Sequence, residues 1–416
     1  MIGATFIDIF AGAGGLSEGF ERAGFVSVAQ IESDRNACMT LMTRAAYNHL
    51  KKGGRIEIYN RYVRGEITRD ELYKNIPDHV LKTVINRKIT KKNTKSLFDA
   101  VKANMTSLGF KTLDVLIGGP PCQAYSLVGR ARDPHGKSYD HKNHLYKRYA
   151  DFLDEFNPKI FVFENVPGMM SVHRGQMFKR IKARLDEAGK SGFRTEVRFL
   201  NSEDFGVLQC RRRVIIIGIR KDLDVSFSDF SVSKNTGLVN DILEDLPKLE
   251  AGGGNIWDEY TKPTNRYLMA SNIRQDNDIL SMHMTRPIND NDKKIYRIAI
   301  ETWNNGGKRL KYNNLPKSLI KHNNKKYFLD RFKVVASDLP FAQTVVAHIA
   351  KDGHYYIHPD INQVRSLSVR EAARLQSFPD NYYFEGSRSS KLTQIGNAVP
   401  PLMAEGVAEK VREMIS

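Results

Sequence analysis

Short apolar runs of strand length recur through residues 1–220 and alternate with segments long enough to be helices. The runs are residues 5–10, 26–31, 113–117, 159–163 and 214–219. Strands that crossover helices bury on both faces have continuous apolar runs instead of alternating patterns. The pattern therefore predicts a doubly wound α/β domain over residues 1–220, in which ligands bind outside the carboxyl ends of the strands.

The first run leads into a glycine turn at residues 11–15 and then into an amphipathic segment that ends at Gly24. Strand, glycine turn and helix in this order bring the backbone close to a nucleotide-like ligand. The glycines do not follow the G-x-G-x-x-G pattern of dinucleotide sites, whereas Glu32, after the second run, can accept hydrogen bonds from ribose hydroxyls. An adenosine-type ligand without a pyrophosphate fits best, and S-adenosylmethionine is the candidate.

Three other apolar runs are bordered by reactive side chains. Cys122 follows two prolines after the third run, Glu164 follows the fourth, and Arg211 and Arg213 precede the fifth. Alternate residues of a strand share a face, so the two arginines are expected to point the same way. Each residue alone has an ordinary structural explanation, such as a buried cysteine or a solvated arginine pair. In this order they predict a thiol, an acid and two guanidiniums at one sheet edge.

With these residues in place, the chain resembles the DNA (cytosine-5)-methyltransferase family of bacterial and phage restriction–modification systems. The matching stretches are FIDIFAGAGGLSEGF from Phe6, IESD from Ile31, IGGPPCQAYS from Ile117, FENVPG from Phe163, QCRRRVIIIG from Gln209, RSLSVREAARLQSFPD from Arg365 and QIGNAVPP from Gln394. They occur in the family's order and span nearly the whole chain. The resemblance implies a Rossmann-like S-adenosylmethionine-dependent methyltransferase fold with a smaller target-recognition domain across a DNA cleft.

The resemblance also implies the chemistry and the catalytic residues. Cytosine must be flipped out of the duplex, and the Cys122 thiolate would add to its carbon 6 and make carbon 5 nucleophilic. Glu164 would hydrogen-bond or protonate N3. Arg211 and Arg213 would hold the carbonyl oxygen of the base.

Ligand-binding residues carry over from the family in the same way, and no metal site is expected. The implied cofactor residues are Phe10, Gly12, Gly14, Glu32, Ser33, Pro120, Leu145, Asn397 and Val399. The implied DNA-binding residues are Gln123, Ser126, Arg130 and Lys142, around a catalytic loop at residues 126–144, and Arg309 in a later Asn-Gly-Gly-Lys-Arg loop. The acidic residue that contacts adenine in the family cannot be placed, and Asp99 is a weak candidate.

Two domains are expected, built from three segments of the chain. Residues 1–220 would form the catalytic domain, with a basic helical insertion at 47–101 that is either a solvated elaboration or an auxiliary DNA contact. Residues 221–384 are polar and rich in Asn and Lys up to about residue 360, and would form the target-recognition domain, with a helix at 365–379. Residues 385–416 would return to the catalytic domain.

Composition agrees with a DNA-directed enzyme. The net charge of +17 favours a polyanionic partner. No apolar run approaches the roughly 20 residues of a membrane span, and the three cysteines lack metal-ligand spacing and suggest a reducing cytoplasm. The expected enzyme is a cytoplasmic, nucleoid-associated monomer of a prokaryote or phage that acts on double-stranded DNA, with any cognate restriction endonuclease acting separately.

Two other functions stay open. A branch of the family methylates tRNA with the same catalytic set, but the long segment between QCRRR and RSLSVREAARLQSFPD favours duplex DNA, whose base edges require additional structure to read. The other alternative is a non-catalytic DNA-binding module. The complete set of Cys122, Glu164, Arg211 and Arg213 argues against it.

Overall fold

The computed structural model of the protein describes residues 3–121, 144–230, 237–321, 323 and 328–415. Within these ranges, one sheet of seven strands forms the centre of the fold, with the order β3-β2-β1-β4-β5-β7-β6. Its strands are β1 (Thr5–Ile9), β2 (Val26–Glu32), β3 (Val84–Asn86), β4 (Val115–Gly118), β5 (Ile160–Asn165), β6 (Phe193–Asn201) and β7 (Arg212–Arg220). Neighbouring strands from β3 through β5 are parallel, and β7 runs antiparallel to both of its neighbours. The predicted α/β class is therefore confirmed.

Helices cover both faces of the sheet, which is why its strands are apolar without alternation. The α-helices described in the first 186 residues are α1 (Gly15–Arg22), α2 (Arg35–Lys52), α3 (Ile56–Val63), α4 (Arg69–Lys74), α5 (Asp78–Leu81), α6 (Thr94–Ser107), α7 (Leu145–Phe156) and α8 (Gln176–Asp186). Side chains of α6, α7 and α8 pack in one core cluster with Ile7 and Ile9 of β1. Phe6, which points to the opposite face, packs in a second cluster with α1.

The segment predicted as a helical insertion, residues 47–101, contains more than helices. Its residues Val84–Asn86 form β3, which pairs in parallel with β2 at the sheet edge. A three-residue strand with only two apolar residues leaves almost no periodic signal. The purely helical assignment was wrong for these residues, and α3, α4 and α5 are the elaboration between α2 and β3.

The elaboration is docked on the rest of the protein. Tyr59, Val63 and Leu72 are buried in a cluster that also includes residues of α2. The Tyr59 hydroxyl donates to the Asn381 carbonyl at 2.8 Å, and the Tyr62 hydroxyl donates to Glu385 Oε1 at 2.6 Å. These helices therefore pack against the segment that connects residues 237–384, which we call the small region, to the C-terminal helices.

Residues 237–384 form an irregular region with few regular elements. Its described helices and strands are β8 (Trp257–Asp258), α9 (Arg266–Ala270), β9 (Leu280–Ser281), α10 (Asp290–Asn304) and α11 (Val369–Leu375). Helix α11 is shorter than the predicted 365–379, because Ser368 caps its N-terminus and Ser377 has a left-handed φ of 59° just after its end. Arg374 on α11 is fully buried and donates to Asp245 at 2.6 Å and to Asp380 at 2.5 Å. A buried network of ion pairs thus stabilises this region.

Two C-terminal helices, α12 (Arg388–Asn397) and α13 (Pro401–Ile415), complete the fold. Helix α13 packs so closely on α1 that a Cβ on Gly19 would collide with the Glu405 backbone nitrogen. The division into two domains, with a C-terminal segment that returns to the first, stays a prediction. No helix among the described residues is long and apolar enough to span a membrane.

Candidate active site

One edge of the sheet gathers most of the described residues that the sequence singles out. The parallel strands β1 to β5 all end there, and the antiparallel β7 begins there. Phe10, Glu32, Pro120, Glu164 and Arg213 lie at these strand ends or directly beyond them. We call this edge the active edge. Ligands of open α/β sheets bind at the carboxyl ends of the strands.

The glycine turn after β1 has the left-handed backbone that its sequence suggests. Gly12 has a φ of 56° and Gly14 a φ of 79°, and Phe10 has a φ of 61° although it carries a side chain. A left-handed φ at a bulky residue is strained and is typical of functional sites. A Cβ on Gly14 would lie 2.7 Å from the Tyr382 hydroxyl, so this position has no room for a side chain. The turn therefore exposes backbone close to the active edge.

Glu32 is held against this turn by backbone donors. Its Oε2 accepts from the Gly12 N–H at 2.9 Å, and its Oε1 accepts from the N–H groups of Ser33 at 2.6 Å and Asp34 at 2.8 Å. The side-chain amide of Asn86, at the end of β3, donates to the backbone carbonyl of Glu32 at 3.2 Å. Each carboxylate oxygen has two lone pairs. Oε1 is thus fully used, whereas Oε2 keeps one lone pair that can accept a hydrogen bond from a ligand hydroxyl.

Glu164 and Arg213 form an ion pair at the active edge. Arg213 Nε lies 2.7 Å from Glu164 Oε1, and both side chains are about nine-tenths buried, with 12% and 13% exposure. A Cβ on Gly119 would lie 2.5 Å from Glu164 Oε2, so the glycine lets the acid lie against the turn after β4. The Asn165 side chain donates to the Pro120 carbonyl of the same turn at 3.3 Å. The acid, one arginine and this turn are thus brought together.

Arg211 takes a different place from Arg213. It precedes β7, is buried, and its guanidinium donates to the Val345 carbonyl at 2.6 Å and the Gly396 carbonyl at 3.3 Å. Arg213 therefore pairs with Glu164, whereas Arg211 binds backbone carbonyls of the small region and of α12. A direct contact of Arg211 with the base stays a prediction.

The remaining residues expected to bind the cofactor or DNA lie in different surroundings. Val399 is buried and its backbone packs on the glycine turn, since a Cβ on Gly15 would collide with its carbonyl oxygen. Asn397 is exposed at the end of α12, and Leu145 is half-buried at the start of α7. Arg309 is exposed, with its guanidinium 5.8 Å from the Trp303 ring. The residues outside the described part of the chain are Cys122, Gln123, Ser126, Arg130 and Lys142.

Sequence reasoning missed two features of the site. The first is the loop after β3. This loop borders the Glu32 turn, because β3 pairs with β2 and ends at Asn86, whereas the candidate Asp99 is exposed on α6. Asp8 is fully buried in β1 and accepts a hydrogen bond from the Ser17 hydroxyl at 2.7 Å. The unusual acid within an apolar run was the available signal for Asp8. Among the described residues, no cluster of His, Cys, Asp and Glu side chains is arranged to hold a metal ion.

A mostly parallel sheet with a glycine turn, an acid at the end of the second strand and an acid–arginine pair defines a Rossmann-like methyltransferase. The chain belongs to the C-5 cytosine-specific DNA methylase family, whose model matches residues 4–64 and 71–413. It is an enzyme that methylates carbon 5 of cytosine in DNA. The unmatched residues 65–70 comprise most of the connection between α3 and α4 and the first two residues of α4.

Two relatives and one solved structure match this chain over nearly its full length. The chain is 41% identical to the type II methyltransferase M.Bpa9945I of Bacillus paralicheniformis, covering 99% of each chain. It is 30% identical to the type II methyltransferase M1.HphI of Haemophilus parahaemolyticus, covering 99% of this chain and 87% of that one. The fold is similar to that of a putative DNA modification methyltransferase encoded within an Escherichia coli prophage, with a TM-score of 0.65, 22% identity and 99% coverage of both.

Proposed function

We propose that the enzyme is a sequence-specific modification methyltransferase of a restriction–modification type. It takes the methyl group from S-adenosylmethionine and acts on a cytosine flipped out of duplex DNA, through a covalent Cys122 adduct. The observation that carries this proposal is the Glu164–Arg213 pair beside the turn that leads to Cys122. The similarity to bacterial type II methyltransferases supports the biological setting. In that setting the enzyme acts as a monomer in the cytoplasm, and any cognate endonuclease acts separately.

The glycine turn and Glu32 fit the proposed cofactor. Oε2 of Glu32 would accept a ribose hydroxyl through its remaining lone pair, and the backbone of the turn approaches closely because Gly12 and Gly14 have no side chains. Phe10 at the end of β1 offers an aromatic ring, which attracts a cationic sulfonium. When bound, the cofactor supplies an electrophilic methyl group.

The described pair can stabilise the charge that develops on the base. As the Cys122 thiolate adds to carbon 6, the electrons of the 5,6 double bond form a 4,5 double bond and those of the 3,4 bond move onto N3, to which Glu164 would deliver a proton. The Arg213 guanidinium has five N–H donors, so it can hold Glu164 and also donate to the carbonyl oxygen of the base. Carbon 5 then accepts the methyl group. Loss of the carbon 5 proton to a base, breakage of the bond between carbon 6 and the Cys122 sulfur, and return of the N3 proton to Glu164 release the product and the thiolate.

Trapping the covalent adduct tests the proposal. A duplex carrying 5-fluorocytosine at the target should form a stable adduct with the wild-type enzyme, because fluorine cannot leave as a proton after methylation. The adduct should require S-adenosylmethionine and should be detectable by denaturing electrophoresis and mass spectrometry at Cys122.

Cys122→Ser is the matched variant, because a hydroxyl is a far weaker nucleophile near neutral pH while its size is similar. It should bind duplex DNA but neither methylate it nor form the adduct. An enzyme that methylates cytosine in duplex DNA without any trapped adduct would contradict the covalent route. Methylation of tRNA in place of DNA would contradict the proposed substrate.

A further inference from the structure

The loop between β3 and α6, taken together with the first turn of α6, carries a dense group of exposed cations that the catalytic chemistry does not use. We call it the basic loop, and its cations are Arg87, Lys88, Lys91, Lys92 and Lys95. No ion pair among the described residues includes any of them. Asp151 on α7 lies within electrostatic range of Lys91, but the Arg148 guanidinium already binds its carboxylate at 2.5 Å. The positive charge of the loop is therefore available to a partner.

The loop is fixed in place at the active edge. Its first residue, Arg87, donates its backbone N–H to the Glu32 carbonyl at 2.9 Å. Ile89 is buried, and the Thr90 N–H and hydroxyl both donate to Asn93 Oδ1 at 2.9 Å. A loop held at both ends presents its charges in a constant arrangement, so binding costs little ordering entropy.

The basic loop and the small region contact opposite faces of the sheet. The loop leads into α6, whose residues share a core cluster with those of α7. The small region contacts the other face, where Arg22 of α1 donates to the Ser271 carbonyl at 3.4 Å and the Tyr382 hydroxyl donates to the Ala13 carbonyl at 2.5 Å. The active edge with Glu164 and Arg213 lies between these two groups of contacts. A duplex at the active edge would have the small region on one side and the face of α6 and α7 on the other.

We propose that the basic loop binds phosphates of the DNA that flanks the target cytosine. The inference deepens the proposed function and rests on it, because it requires a duplex at the active edge. Strand β3 is three strands from β4, which at about 4.8 Å per strand is roughly 14 Å. That distance corresponds to about four base-pair steps of 3.4 Å. The contact therefore adds affinity and salt dependence several base pairs from the target and carries no sequence information.

The test compares two triple variants of equal charge change. Lys88→Gln/Lys91→Gln/Lys92→Gln removes three charges from the basic loop. The matched control, Lys111→Gln/Lys190→Gln/Lys221→Gln, removes three exposed lysines near the opposite edge of the sheet. Both are assayed for binding to duplexes that carry a site identified by bisulfite sequencing of DNA methylated by the enzyme.

The basic-loop variant should lower the slope of log affinity against log salt by about 2–3 units, since each phosphate contact contributes about 0.9. Its KM for DNA should rise, while its kcat at saturating DNA, its KM for S-adenosylmethionine and its site preference stay at the wild-type values. The control should keep the wild-type slope. The loss should appear only with duplexes that extend more than about four base pairs beyond the target on the side of the loop.

Equal slopes for the basic-loop variant and the control would overturn the inference. So would a rise in the cofactor KM with unchanged DNA affinity, because the loop would then belong to the cofactor site. Equal weakening on short and long duplexes would also contradict it. Failure of the wild-type enzyme to methylate duplex DNA is a separate result that would refute the proposed function itself.

Discussion

Asp8 is an acid in the middle of a buried strand, next to the site but without a part in its chemistry. Burial raises its pKa to about 8, against the lowering effect of the hydrogen bond from Ser17, and the negative charge of Glu32 raises it further. At neutral pH the side chain is therefore mostly an uncharged carboxylic acid. It connects β1 to α1 directly beneath the glycine turn.

Replacing Asp8 with asparagine should change how stability depends on pH. The folded pKa of about 8 lies above the unfolded value near 3.8. The stability that the neutral acid contributes is therefore complete below about pH 4 and is lost as the pH rises toward 8. The asparagine side chain does not titrate, so the free energy of unfolding of Asp8→Asn relative to wild type should increase by a few kcal/mol, on the order of 1.4 per pH unit, over this window.

Urea unfolding of both proteins between pH 5 and pH 8 measures the difference. Glu21, whose pKa burial raises to about 7, titrates in both proteins and so cancels in the comparison. Stability curves that stay parallel over the whole window would show that Asp8 is ionised in the folded protein.

How much of the site the sequence could predict depends on how local each residue's contacts are. Glu32 and Glu164 could be identified because they end apolar runs, and parallel strands bring such ends to one edge. Arg213 is positioned by the register of β7 against β5. The partners of Arg211 lie 134 and 185 residues away in the chain, and no local pattern encodes contacts of that range. The two arginines look equivalent in sequence for this reason.

At the scale of elements, the residues just before β7 connect the catalytic sheet to the small region. The Cys210 N–H donates to the Ala342 carbonyl at 2.9 Å. The Gln209 side chain accepts from the Val345 N–H at 2.5 Å and donates to Gln376 at 2.8 Å. Arg211 adds the Val345 and Gly396 carbonyls, and a Cβ on Gly396 would collide with the backbone of residue 346. Arg211 is thus placed to position the small region and α12 relative to Arg213.

Arg211→Lys and Arg213→Lys should therefore fail in different ways. A lysine ammonium cannot reproduce the planar fork that reaches two carbonyls, and an unsatisfied buried carbonyl costs about 1–3 kcal/mol. Arg211→Lys should lower Tm and raise the KM values for DNA and cofactor, with a smaller effect on the single-turnover rate at saturation. Arg213→Lys should lower the single-turnover rate by about 10²–10³ with binding nearly intact.

Single-turnover and steady-state kinetics, with Tm measured on the same preparations, separate the two. If Arg211→Lys loses its single-turnover rate as Arg213→Lys does, while Tm and both KM values are unchanged, Arg211 contacts the base after all.

At the scale of the whole molecule, the small region has two cores with different attachments. One includes Ala13 of the glycine turn, Leu208, and residues of α11 and α12, so it is continuous with the catalytic part. The other is separate and holds residues of α10 together with the segments around Leu310 and Phe332. Arg309 lies beside Leu310 and is exposed. The second core is the part that can vary without disturbing the active edge.

We expect the segments that form this second core to determine which DNA sequence the enzyme methylates. Exchanging residues 288–334 with the matching segment of a relative that methylates a different sequence should therefore transfer that specificity. The exchange leaves the contacts of Gln209, Arg211 and Tyr382 intact, so the chimera should keep a kcat within about tenfold of its parents, or about 1.4 kcal/mol in barrier. Bisulfite sequencing of DNA methylated by the chimera measures the result.

Arg309→Ala in the wild-type enzyme is the finer probe. A base contact would relax one position of the site at a cost of about 1–3 kcal/mol, whereas a phosphate contact would lower the salt slope by about one unit without changing the site. An active chimera that still methylates the original site would place recognition outside residues 288–334.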